Sequence, residues 1–98
     1  MDFLVCLNGC GIRRMLQIDI ALTDVEDRTE AISKAREIAS GKEDVMVALF
    51  TRDAEPICGW KVMEGGKLKD EPIDAIQDRF NVSPENFKRA KRQKDEMR

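Results

Sequence analysis

The spacing of apolar positions changes several times along this chain, and each change marks an element. Residues 3–7, FLVCL, are continuously apolar, the pattern of a short strand buried on both faces. Residues 13–22, RRMLQIDIAL, alternate instead, with Leu16, Ile18, Ile20 and Leu22 on one side and Met15, Gln17, Asp19 and Ala21 on the other. Period two with β-branched residues predicts a second strand whose Leu/Ile side faces the core. The period then lengthens. Ala31, Ile32, Ala35, Ile38 and Ala39 recur at helical spacing within residues 23–42. Two capping-box pairs, Thr23/Glu26 and Asp27/Glu30, offer a start for this helix, and Gly41 offers a stop.

Alternation returns at residues 44–52, DVMVALFTR, where both sides are apolar, so this strand is expected to be central. Residues 56–63, PICGWKVM, form a fourth strand with Cys58, Trp60 and Val62 on one face, and Pro56 suits its first position. EGGK at 64–67 closes the hairpin. Ile73, Ile76 and Phe80 then mark a short helix over 71–80, with Pro72 near its first turn. Ser83, Pro84 and Glu85 start another that runs to residue 98. The order β-β-α-β-β-α-α predicts an α+β two-layer sandwich: a mainly antiparallel four-stranded sheet with helices on one face. Residues 1–82 are its core, and 83–98 are a C-terminal basic helix belonging or appended to the same single domain.

Charge alters the picture at that last helix. The net charge of −2 is the sum of two unlike parts. Residues 1–83 hold 11 Lys and Arg against 16 Asp and Glu, a balance of −5, whereas residues 84–98 hold six against three, a balance of +3. An acidic body with a basic tail is the clearest asymmetry in the sequence. No apolar run approaches the length of a membrane span, and the first residues lack the basic and apolar regions of a signal peptide. A cytoplasmic protein with no membrane partner is expected. Three cysteines cannot form a complete disulfide framework, which agrees with a reducing compartment.

Chemistry is sparse. Histidine is absent, removing the usual general base, the commonest metal ligand and every His-activated nucleophile. Cys6, Cys10 and Cys58 fall short of the four closely spaced ligands of structural zinc, so neither metal nor cofactor is expected. The loop CLNGCGIRR resembles an anion cradle, with backbone N–H groups from its glycines and charge from Arg13 and Arg14. It lies between two strands, however, rather than between a strand and a helix, and Asn8-Gly9 is a strong hairpin signal. The expected structure there is a turn over Asn8–Gly11. Asp19, Asp24, Glu26 and Asp27 match no calcium loop, and acids in a first helical turn are favoured by the helix dipole alone.

These absences lead to the expectation of a non-catalytic interaction module, an adaptor, regulator or inhibitor that binds another protein through its sheet face or acidic surface. The interface candidates are Trp60 and Lys61, on the sheet, and Asp24, Glu26 and Asp27, in the acidic cluster. The alternative is nucleic-acid binding through Lys88, Arg89, Lys91, Arg92 and Lys94 of the basic helix, aided by Arg13 and Arg14. Self-association stays open in either case.

Overall fold

Apolar residues on both sides of two strands demand cover on both sides, and that requirement sets the architecture. The computed structural model describes residues 1–10 and 16–96. Its strands are β1 (Phe3–Gly9), β2 (Ile18–Leu22), β3 (Val45–Thr51), β4 (Pro56–Val62) and β5 (Leu68–Asp70), and its helices are α1 (Arg28–Ala39), α2 (Ile73–Arg79) and α3 (Pro84–Glu96). A 3₁₀ turn over Glu64–Gly66 precedes β5. The strands form one sheet in the order β2-β1-β3-β4-β5, antiparallel at every pairing. The α+β fold and the antiparallel sheet agree with the sequence pattern.

Three expectations need correction. The sheet has five strands, not four. Gly65 and Gly66, both at φ +83°, turn the chain back so that Leu68 pairs with Val62 and Asp70 with Trp60. All three residues of β5 are exposed, so they carry no burial pattern. The helices also do not share one face. Ala31, Ala35 and Ala39 of α1 pack with Phe3, Val5, Leu7, Val47, Leu49 and Trp60. Ile76 and Phe80 of the α2 region, with Phe87 and Ala90 of α3, pack with Leu4, Cys6, Ala48 and Phe50 on the opposite face. The result is three layers, with β1 and β3 sealed on both sides.

The third correction concerns the first hairpin. Asn8 and Gly9 do not turn the chain. They extend β1, opposite Met46 and Val45, and the Cys10 N–H continues the ladder onto the Asp44 carbonyl at 2.6 Å. Seven residues of pairing to β3 outweigh the local turn preference of Asn-Gly. β2 begins only at Ile18, opposite Leu7, so Leu16 is no core residue; it is 90% exposed. Arg13 and Arg14, and Gly11 of the expected turn, lie outside the described residues.

Local chemistry at the helix starts follows the sequence closely. Of the two capping pairs before α1, the second is the one used: Asp27 accepts the Glu30 N–H at 2.8 Å, and the Glu30 carboxylate accepts the Glu26 N–H at 2.8 Å. At α3, the Asn86 side-chain oxygen accepts the Ser83 N–H at 2.8 Å, the return arm of the same motif.

Candidate functional site

The two edges of the sheet are protected differently. β5 is short, exposed and charged at Lys69 and Asp70, with Pro72 close behind, which are the usual devices against further strand pairing. β2 has one charged residue, Asp19, and that side chain is turned beneath α3. Backbone direction follows from the ladder. Met1 and Val25 exchange both backbone hydrogen bonds, at 2.7 and 2.9 Å, on the β2 side, while Cys10 bonds to the β3 side. Bonded and non-bonded pairs alternate along an antiparallel ladder. Ile18, Ile20 and Leu22 therefore bond to β1, and the backbone groups of Asp19 and Ala21 point to the side without a strand.

The side chains of β2 divide between two environments. Ile20 and Leu22 are half-buried against the α1-side core, and Ile18 is 47% exposed. Asp19, Ala21 and Thr23 face α3, which runs alongside β2. Asn86 Nδ2 donates to Asp19 Oδ2 at 2.8 Å near the start of α3, and Lys94 Nζ donates to Thr23 Oγ1 at 3.2 Å near its end. Between strand and helix lies a mainly apolar groove of about 450 Å³, lined by Asp19 to Leu22 and by Ala90, Gln93 and Lys94.

At one end of this groove is a polar corner of about 380 Å³, lined by Gln17, Asp19, Asn81, Ser83, Asn86 and Arg89. Its hydrogen bonds are internal. Gln17 Nε2 donates to Asp19 Oδ1 at 2.8 Å, so both carboxylate oxygens of Asp19 are engaged. The Asn81 N–H donates to Gln17 Oε1 at 3.3 Å, and Ser83 Oγ donates to Asn86 Oδ1 at 3.2 Å. Asn86 is only 8% exposed, and its amide joins the α2–α3 connection to the sheet edge. Cys6, the partner of Asp19 across the ladder, lies below. Burial, reinforced by its hydrogen bond to Asp19 and that carboxylate's charge, pushes the Cys6 thiol far above its ordinary range. A protonated, enclosed thiol is a packing group and a poor nucleophile.

The other cysteines stand apart. Burial also raises Cys58, partly offset by the charge of Arg36. Cys10 is half-buried near Arg79, whose guanidinium donates to the Gly9 carbonyl and reaches Cys10 Sγ at 3.7 Å. That contact ties α2 to the end of β1. Among the described residues, no three Cys, Asp or Glu side chains group as metal ligands.

The structure disperses the residues singled out in the sequence. Trp60 is 3% exposed in the α1-side core, with the Arg36 guanidinium 5.4 Å from its ring centroid, so it is not displayed as an interface anchor. Lys61 is half-buried on β4, with β3 and β1 between it and β2. Asp24, Glu26 and Asp27 are exposed around the start of α1, where Asp27 and the Glu26 N–H form the cap. Lys88, Arg89, Lys91, Arg92 and Lys94 are all exposed on α3, with Lys88 paired to Glu85 at 3.6 Å. Sequence reasoning missed the groove itself. Its available signals were Asp19 standing opposite apolar Cys6 and Asn86 at the third position of a helix.

Fold and site together define an α+β domain with a helix layer on each face of its sheet and a groove along one sheet edge. Comparison with protein-family models, curated proteins and solved structures found no match.

Proposed function

We propose that this protein is a non-catalytic, cytosolic protein-binding module that takes up an extended segment of its partner along the free side of β2. The reading is supported chiefly by the contrast between the two sheet edges: β5 is short and guarded by charge, whereas the outward backbone groups of Asp19 and Ala21 on β2 pair with no strand among the described residues and lie beside an apolar groove. An added strand would gain main-chain hydrogen bonds there, with side-chain selection from alternate positions. Helices pack against both faces of the sheet, which favours its edge over a face as the contact surface. Internally paired Asp19 and a protonated Cys6 favour binding over catalysis.

The test uses a gatekeeper charge. Ile18 is exposed, so Ile18→Lys should leave the unfolding free energy within about 0.5 kcal/mol of the parent. Peptides selected from a random display library on the full chain should bind this variant at least roughly tenfold more weakly, a loss of about 1.4 kcal/mol. Equal binding to both proteins would overturn the reading. The second reading, nucleic-acid binding, draws on the five exposed cations of α3. It predicts oligonucleotide binding that falls steeply with salt, falls on charge reversal in α3, and ignores Ile18→Lys.

A further inference from the structure

Resting on the β2-edge reading, we infer that the segment β2 accepts alternates apolar and acidic residues. Neighbouring strands share a pleat, so every second residue of an added strand would lie beside Ile18, Ile20 and Leu22, and the residues between would lie on the α3 side. On the first side the exposed and half-buried aliphatic surface of those three residues favours apolar partners. On the second side α3 presents cations to the groove. Arg89 lines one end and Lys94 the other, with the Gln93 amide between them.

Spacing matches as well as charge. Five residues of helix separate Arg89 from Lys94, a rise of about 7.5 Å. Same-face residues on a strand repeat every 6.6–6.8 Å or so. Five residues also rotate the helix so that Arg89 and Lys94 stand about 140° apart, on either side of Ala90 and Gln93, and their long side chains can each reach one of two carboxylates at alternate positions. The acid that faces the groove from the protein is Asp19, already held by Asn86 and Gln17. It places a neutral or basic residue opposite itself and the acidic residues opposite Ala21 and Thr23. The partner chemistry is thus an extended peptide in which acidic and apolar residues alternate, with a non-acidic residue at the position opposite Asp19.

The experiment measures fluorescence anisotropy of the full chain with four labelled synthetic peptides: alternating Glu and Val, alternating Lys and Val, the Glu–Val peptide N-methylated at alternate backbone positions, and a block peptide of the same Glu and Val content. The alternating Glu–Val peptide should bind at least roughly tenfold more tightly than each of the others. The double variant R89E/K94E should reverse the order of the Glu and Lys peptides, which also excludes a simple loss of folding. If Glu–Val and Lys–Val bind alike and N-methylation abolishes both, the charge inference is overturned while strand addition survives. If binding follows charge but ignores N-methylation and Ile18→Lys, a cationic surface is responsible and both readings fall. If no peptide binds, the inference fails, and the display selection with Ile18→Lys still decides the edge reading independently.

Discussion

Asn86 holds together three parts of the chain with one side chain. Its amide donates to Asp19 on β2, and its oxygen accepts from the backbone and hydroxyl of Ser83 before α3. Removing it takes one of two partners from the half-buried Asp19 carboxylate, which keeps Gln17, and takes the acceptor from the Ser83 N–H. A lost hydrogen bond to a charged group costs about 1.5–3 kcal/mol. Asn86→Ala should lower stability by about that amount in urea unfolding. An unchanged midpoint would mean that solvent replaces the amide without loss. Cys6, below Asp19, makes a separate prediction with pH. Its folded thiol is raised far above the ordinary value of 9.0, so the folded state keeps its proton where the unfolded chain releases it. Stability from this group is fully present below pH 9 and is lost as pH rises beyond it, by about 1.4 kcal/mol per unit. Cys58 shifts in the same direction and adds to the loss. Cys6→Ala should flatten the alkaline limb of a plot of unfolding free energy against pH; an unaltered slope would assign that limb to other groups.

Among the elements, α2 is short and relies on one close fit. Ile76 is fully buried against β4 at Gly59, where an added Cβ would lie 2.6 Å from Ile76 Cδ1 and 3.0 Å from the Val47 carbonyl. Ile76 is fully buried and its Cγ1 is also within 2.8 Å, so Gly59→Ala should cost about 1–3 kcal/mol through overpacking. Thermal unfolding checks this, and the double variant Gly59→Ala with Ile76→Val should recover part of the loss. The same elements show what was legible in advance. FLVCL and VMVALF are apolar on both sides, so burial of both faces is legible there, but the expectation of helices on one face did not carry that pattern through to the layers. β5 was not legible, because three exposed residues owe their pairing to the returning turn at Gly65 and Gly66. Asn8-Gly9 misled because a strong local turn preference lost to cooperative pairing along β3. The groove was hidden for a related reason: it arises from α3 lying along β2, a relation between elements more than sixty residues apart that periodicity does not encode.

At the scale of the whole molecule, the basic tail is structural as well as charged. Phe87 and Ala90 close the core over Leu4, Cys6 and Ala21, and Arg52 stacks 5.8 Å from the Phe87 ring. The cations on the same helix are exposed, so packing and charge occupy different sides of α3. The two roles can therefore be separated experimentally. Deleting residues 83–98 would uncover an apolar sheet face and remove the Asn86 donor from Asp19, leaving one face of β1 and β2 without a layer. The truncated chain should lose cooperative unfolding, as followed by the fluorescence of Trp60, which is buried on the opposite face. Reversing Arg89, Lys91 and Arg92 to Glu should instead keep cooperative unfolding, because none of them is buried. A truncated chain that unfolds with the parent's midpoint would show that residues 1–82 are self-sufficient and that α3 is an appendage. Loss of cooperativity on deletion, with retention on charge reversal, would establish α3 as one wall of the domain, able to shape the β2 groove because the core holds it in place.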